Sequence, residues 1–234
     1  MTAKHNSNKR KGKDFVFRYG SIYNEDFAEG SRHLKKQNVQ VELAVAEQTN
    51  QKSNSAWMMG AASLLKKGGS LLCICASENA AEIIQSGEKA HLQFRDTLIF
   101  ENLSPNVDKK GKHGKKFFTS SAALILWFVK PGEKVYFNSK GLQFVSPVIK
   151  SSYDADFDRY DERVSQFQKP VRLYQKLLKL FTQINDTVLL LNSNGGSGII
   201  AAIDLKRNYL AFEKNAKVYQ STKERIEKFK HSNN

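Results

Sequence analysis

Apolar residues along the chain fall into short unbroken runs, and between the runs lie stretches with helical spacing. The runs are "VQVELAVA" (39–46), "SLLCICAS" (70–77), "LQFRDTLIFEN" (92–102) and "SAALILWFVK" (121–130), each of strand length and bounded by polar or glycine positions. Helical spacing is read in "SAWMMGAASLLKKGG" (55–69), an apolar helix expected to end at Gly68 and Gly69, in "NAAEIIQSGEKA" (79–90), in "PVRLYQKLLKLFTQ" (170–183) and in "AKVYQSTKERIEKFK" (216–230). "FVFRYGSIYNEDFAEGSRHL" opens the folded region with a short strand and a helix. Strands apolar on both faces and alternating with helices predict an α/β fold, a mostly parallel central sheet covered by helices on both sides. The expected organisation is a basic arm at 1–14, one domain at 15–228 and a tail at 229–234. From Pro131 to Gln168 the pattern dissolves into polar, aromatic and acidic residues and reads as an insertion.

One corner carries a nucleotide-site signature. In "LLLNSNGGSGIIAAIDLKRNYLAFE" (189–213) an apolar strand leads through Gly196, Ser197 and Gly198 into a helix with Ala201, a relaxed G-x-G-x-x-A spacing, and the next strand ends at Glu213. Glycines at this spacing let the backbone approach a ligand, and an acid at the end of the following strand is placed to accept hydrogen bonds from ribose hydroxyls. Ile199 and Ile200 exclude a Gly-Lys-Ser/Thr phosphate loop. With one helix after this unit, the sheet has to be completed by strands that precede it.

Charge adds a partner. Lys and Arg number 37 against 23 acids, a net charge of +14, and the excess clusters at 4–13 and in "DKKGKHGKK" (108–116). Such Gly/Lys segments, with Lys109, Lys110, Lys112, Lys115 and Lys116 in the second, suit phosphate contacts that release counterions, so nucleic acid is the partner expected from charge, against the alternative of a solvated loop. Cys73 and Cys75 share one face of an apolar strand and read as buried thiols of a reducing compartment. No apolar run approaches a membrane span and the basic start lacks an apolar segment, so a cytoplasmic protein is expected. The histidines lack metal spacing, "DADFD" (154–158) lacks the Gly and Glu of a calcium loop, and Trp57 and Trp127 sit among apolar neighbours that favour packing.

Taken together, "QKPVRLYQKLLKL" (168–180), "GGSGIIAA" and "KRNYLAFE" resemble the exocyclic-amino DNA methyltransferases, which modify adenine N6 or cytosine N4, in their permuted β arrangement. The resemblance spans about residues 20–228 and implies a Rossmann-like methyltransferase fold. It also implies S-adenosylmethionine as cofactor, held by Lys169, Pro170, Asn192, Gly196, Ser197, Gly198 and Glu213, and a target-recognition role for 131–168. The lysine loop at 108–116 then borders the DNA cleft.

Two departures bear on function. With Ala46 as the last strand residue, the family's (Asp/Asn/Ser)-Pro-Pro-(Tyr/Phe/Trp) loop falls on Glu47, Gln48, Thr49 and Asn50, which supply neither the prolines nor the aromatic ring that stacks on a flipped base. The acid before the glycine turn is replaced by Asn192, which removes a charge from the cofactor site. Weak or lost cofactor binding follows, and with it three readings. One is a catalytically inactive, DNA-binding or scaffolding subunit of an active methyltransferase; the others are an active enzyme with a divergent loop, and a free-standing nucleic-acid-binding protein.

Overall fold

The strand with Glu47 at its end lies near the middle of an eight-stranded sheet in the computed structural model, which describes residues 19–48, 56–102, 122–141, 145–151, 163–165 and 167–232. The strands are β1 (Ser21–Tyr23), β2 (Val41–Gln48), β3 (Leu65–Cys75), β4 (Gln93–Asn102), β5 (Ala122–Val129), β6 (Val148–Ser151), β7 (Thr187–Leu190) and β8 (Asn208–Phe212). Their order across the sheet is β1-β8-β7-β2-β3-β5-β4-β6. Only β5 runs against its neighbours; the other pairings are parallel. The expected α/β class, a mostly parallel sheet covered on both faces, is what the structure shows.

The helices are α1 (Phe27–Lys36), α2 (Ala56–Leu64), α3 (Ala80–Lys89), α4 (Val171–Phe181), α5 (Ser197–Asp204) and α6 (Ala216–Ser232). Alternation along β2 sorts them onto two faces. Leu43 and Val45 point into a core with Leu173, Tyr174 and Leu177 of α4, Ile199 of α5 and Ile226 of α6. Ala44 and Ala46 point the other way, into a core with Leu34 of α1, Met58 of α2 and Ile83 of α3. A strand sandwiched in this way has no solvent face, which is why its sequence reads as an unbroken apolar run. On α4 the buried positions Val171, Tyr174, Leu177, Leu178 and Phe181 recur every three to four residues, the stripe needed to dock one helix face on a sheet. Asp26 caps α1 by accepting the Ala28 N–H at 2.8 Å.

Several expected boundaries move. The helix read at 55–69 stops at Leu64, and Gly68 and Gly69 belong to β3 instead of ending a helix. They lie where the pairing of β2 with β3 changes register, and Gly68 takes φ 73° with the Lys134 carbonyl so near that a Cβ would meet it at 2.7 Å. This is a glycine bulge, in which two glycines signal an irregular strand as readily as a helix end. β2 runs on through Gln48, so Glu47 is a strand residue rather than the first residue of a loop. Within 131–168 the structure adds β6 beside β4, with Ile149 and Ser151 buried, a strand too short and too polar to show in the sequence. At the other end α6 runs through Ser232, past 228, and Phe229 packs against the core.

Candidate active-site cleft

β7 and β2 are parallel neighbours whose exits diverge: the chain leaves β7 for α5 on one face of the sheet and leaves β2 toward α2 on the other. Such a divergence opens a crevice outside the carboxyl ends of the two strands, the place where open α/β sheets bind ligands. Asn192 and Glu47 form its floor. Leu191 N–H still donates to Val45 C=O at 3.0 Å, but β7 then turns away, and the Asn192 side-chain carbonyl accepts the Glu47 N–H at 3.1 Å in place of a backbone partner. Asn192 is therefore a ladder substitute that ties the two strand ends together, a role an amide performs without carrying charge.

The turn that follows has three consecutive residues at positive φ, Asn194 (42°), Gly195 (93°) and Gly196 (84°). A Cβ at Gly195 would sit 2.4 Å from Gln168 Oε1, one at Gly196 2.9 Å from Thr222 Cγ2, and one at Gly198 2.8 Å from Leu190 Cδ2. Positive φ at Gly195 and Gly196, and the nearness of Thr222 to Gly196 and Leu190 to Gly198, favour glycine here without reference to a ligand. Arg225 of α6, itself buried, locks the turn by donating to the Gly195 carbonyl at 2.5 Å and to Ser197 Oγ at 3.2 Å.

Glu213 follows β8 and closes the next corner. Its Oε2 accepts from Ser193 Oγ and from Asn194 N–H, both at 3.2 Å, and its Oε1 accepts from Asn215 N–H at 3.0 Å. A carboxylate offers about four acceptor sites; among the described residues three are used, which leaves one on Oε1. Asn24, at the end of β1, donates to the Glu213 carbonyl at 2.7 Å and draws a third strand end into the corner.

Glu47 is the unusual group. On the α4 side of β2 it is only 4% exposed, with Tyr174 Oη donating to Oε1 and the Lys169 ammonium 3.7 Å from Oε2. Among the described residues Oε2 is buried without a partner at hydrogen-bonding distance. Burial pushes the Glu47 carboxyl above the ordinary carboxylate range, opposed first by Lys169 and then by hydrogen bonds from Tyr174 and Asn194. Lys169 precedes Pro170, which takes the cap position of α4 with φ −59°, the value a proline ring imposes, so the cation is launched from a rigid helix start. On β3 behind them, burial pushes the Cys73 thiol well up, whereas a hydrogen bond with Cys73 lowers that of Cys75; both are free and buried.

The structure thus brings Glu47, Lys169, Pro170, Asn192, Gly196, Ser197, Gly198 and Glu213 to the carboxyl ends of β2, β7 and β8. Gln48 ends β2; Thr49, Asn50 and the five lysines at 109–116 lie outside the described residues. Tyr174, Asn194 and Arg225 were not anticipated. Tyr174 alone carried a sequence signal, a polar tip inside the apolar stripe of α4. Among the described residues no cluster of His, Cys, Asp and Glu could hold a metal ion, and no helix is long and apolar enough to cross a membrane.

A family model described as DNA methylase, for the N6 and N4 enzymes, matches residues 35–224. The chain is similar to the type II methyltransferase M.BglI of Bacillus subtilis, 31% identical over 163 residues, an alignment covering 64% of this chain and 43% of that protein. It therefore spans less than half the length of that relative. Among solved structures, M1.HpyAVI in complex with SAM superposes with a TM-score of 0.73 at 22% identity, covering 88% of this chain and 98% of that one. PvuII DNA methyltransferase, cytosine-N4-specific, does so with a TM-score of 0.66 at 14% identity, covering 96% and 94%. At these identities the likeness to solved structures is one of fold.

Proposed function

The chain belongs to the DNA methylase family of N6 and N4 methyltransferases, and from that premise we propose that it serves DNA modification as a DNA-binding subunit without methyl transfer of its own. The observation that carries this reading is Glu47. In the register that sets Glu47 against the family's acceptor for the target amino group, the carboxyl is turned inward, buried, bonded to Tyr174 and paired with Lys169. A group in that state is not available to an extruded base, and the sequence after it offers neither prolines nor a stacking ring.

S-adenosylmethionine, when bound, would supply an electrophilic methyl group. The frame for it fits in part: among the described residues Glu213 keeps an acceptor site on Oε1 for a ribose hydroxyl, and Asn192 ties the end of β2 to the turn after β7. The charges fit less well, because position 192 is an amide and Lys169 already has a counter-ion. Losing a charge-assisted hydrogen bond costs about 1.5 to 3 kcal/mol, which makes weak cofactor binding the expected outcome. The alternative, an active enzyme, draws on the same preserved turn and on Glu213.

The test is a methyl-transfer assay on duplex DNA with the chain alone and with a family member that has an intact Asp-Pro-Pro-Tyr loop. No transfer is expected alone, a deficit on the order of a thousandfold or more, with partner activity or DNA affinity raised in the mixture. Turnover by the isolated chain, abolished by Glu47→Ala, decides for the active enzyme. DNA binding is tested separately: replacing Lys109, Lys110, Lys112, Lys115 and Lys116 by alanine should flatten the salt dependence by several units, at about 0.9 per phosphate contact. A slope unchanged by the fivefold substitution removes that loop from the DNA interface.

A further inference from the structure

A buried carboxyl, a half-buried ammonium and a crevice meet at one point, and their charges do not suit an empty ligand site. Ser197 and Gly198 at the start of α5 are buried, and Arg225 is spent on the Gly195 carbonyl and Ser197 Oγ. Lys169, whose side chain is 19% exposed, is the cation paired with the Glu47 carboxyl at the end of β2. Glu47 lies under it, 2% exposed at the side chain, too far at 3.7 Å for a hydrogen bond but near enough to cancel most of its field. Tyr174 Oη holds the other carboxyl oxygen while Asn192 Oδ1 accepts the Glu47 backbone N–H, so the carboxyl cannot swing away without losing the Tyr174 bond.

We propose that Glu47 is a built-in counter-ion that occupies Lys169 and closes this crevice to a ligand carboxylate, so that neutralising Glu47 uncovers a site for the α-carboxylate of an amino-acid-bearing ligand. The proposal rests on the reading of the crevice as a cofactor cleft. Its physical basis is competition. A ligand carboxylate reaching Lys169 meets an ammonium already paired and, beneath it, a buried like charge. Removing the Glu47 charge removes the competitor and the repulsion together, while the near-isosteric glutamine keeps an acceptor for Tyr174. The groups facing Glu47 are Lys169 and Tyr174 from α4, Asn192 and Asn194 from the turn after β7, and Cys73 from β3. Of these only Lys169 is charged at neutral pH, so protonation of Glu47 leaves Lys169 unopposed and binding of a carboxylate ligand strengthens as pH falls.

The experiment is calorimetric titration of the full chain with S-adenosylhomocysteine, which carries the α-carboxylate but no transferable methyl, in the absence of DNA. Adenosine, which lacks the carboxylate, is the control. Glu47→Gln should bind S-adenosylhomocysteine about tenfold more tightly or better, with adenosine affinity unchanged, and adding Lys169→Met should erase the gain. Wild-type affinity should rise as pH falls, and that dependence should vanish in Glu47→Gln; the wild-type titration needs no variant to fold. Unchanged or weaker S-adenosylhomocysteine binding by a Glu47→Gln chain that unfolds like wild type overturns the proposal alone, because Glu47 is then structural or itself holds the ligand ammonium. Absence of binding to every chain at every pH overturns the proposal and the cofactor-cleft reading together, while leaving the DNA-binding reading to its own test.

Discussion

The corner built by β7, α5 and β8 and the corner at the end of β2 share one crevice and have diverged to different extents. The first keeps what its geometry needs: three positive-φ residues, glycines crowded by Gln168, Thr222 and Leu190, and an acid satisfied by two backbone N–H groups and a hydroxyl. The second keeps its strand and its place in the sheet, and on the reading proposed above its Glu47, Gln48, Thr49 and Asn50 stand in place of the family's catalytic loop. The turn is packed against the core, so a change there costs stability whatever it does to a ligand. At the end of β2 the described side chain, Glu47, is tied to α4 through Tyr174 and Lys169, and its backbone to Asn192.

The largest effect that can break this comparison is restoration of chemistry. If the β2 corner alone has lost function, the combined substitution Glu47→Asn, Gln48→Pro, Thr49→Pro and Asn50→Tyr, which also removes the charge at 47, should raise methyl transfer by on the order of a thousandfold over the parent. A quadruple variant that folds and binds DNA, yet is as inactive as the parent in a radiolabel transfer assay, places the loss in the cofactor corner as well.

The next effect is on stability. Gly196→Val asks a β-branched residue to adopt φ 84° and to place its Cβ 2.9 Å from Thr222. Strain and overpacking at such a site each cost about 1 to 3 kcal/mol, so urea unfolding should show a loss of about 3 kcal/mol. The matching surface change, Lys214→Ala, should be near neutral. A stable Gly196→Val would mean that the turn is not held by packing and that its glycines serve a ligand after all.

The smallest effect is a pH dependence. Because the folded-state pKa of Glu47 is raised above its ordinary 4.5, the folded chain holds that proton more tightly than the unfolded one. Its contribution to stability is greatest below the unfolded pKa and is lost as pH rises through the folded value. Glu25 and Asp186, also raised mainly by burial, add slopes of the same sign. Glu47→Gln should therefore remove part of the decline in unfolding midpoint as pH rises from about 4.5, and leave the share owed to Glu25 and Asp186. A decline of unchanged steepness would show that Lys169 and Tyr174 compensate the burial of Glu47 fully.

Much of this molecule is local and was therefore readable from the sequence alone. The apolar runs of β2, β3, β5 and β7 state that both faces of the sheet are covered, the stripe on α4 states which side docks, and the spacing from Asn192 to Gly198 with Glu213 beyond it marks the crevice corner. These features depend on backbone periodicity and on φ requirements that a residue meets by itself. Tertiary structure decided what depends on residues far apart in the chain. It set β5 antiparallel, turned Gly68 and Gly69 from a helix end into a strand bulge, and carried β2 two residues past Ala46, with Glu47 facing inward. It also joined Glu47 to Tyr174, 127 positions away, and to Asn192, 145 positions away. A side chain's charge can be read from the sequence; its dielectric surroundings and its counter-ion are set by packing, and at Glu47 those two determine what the carboxyl can do.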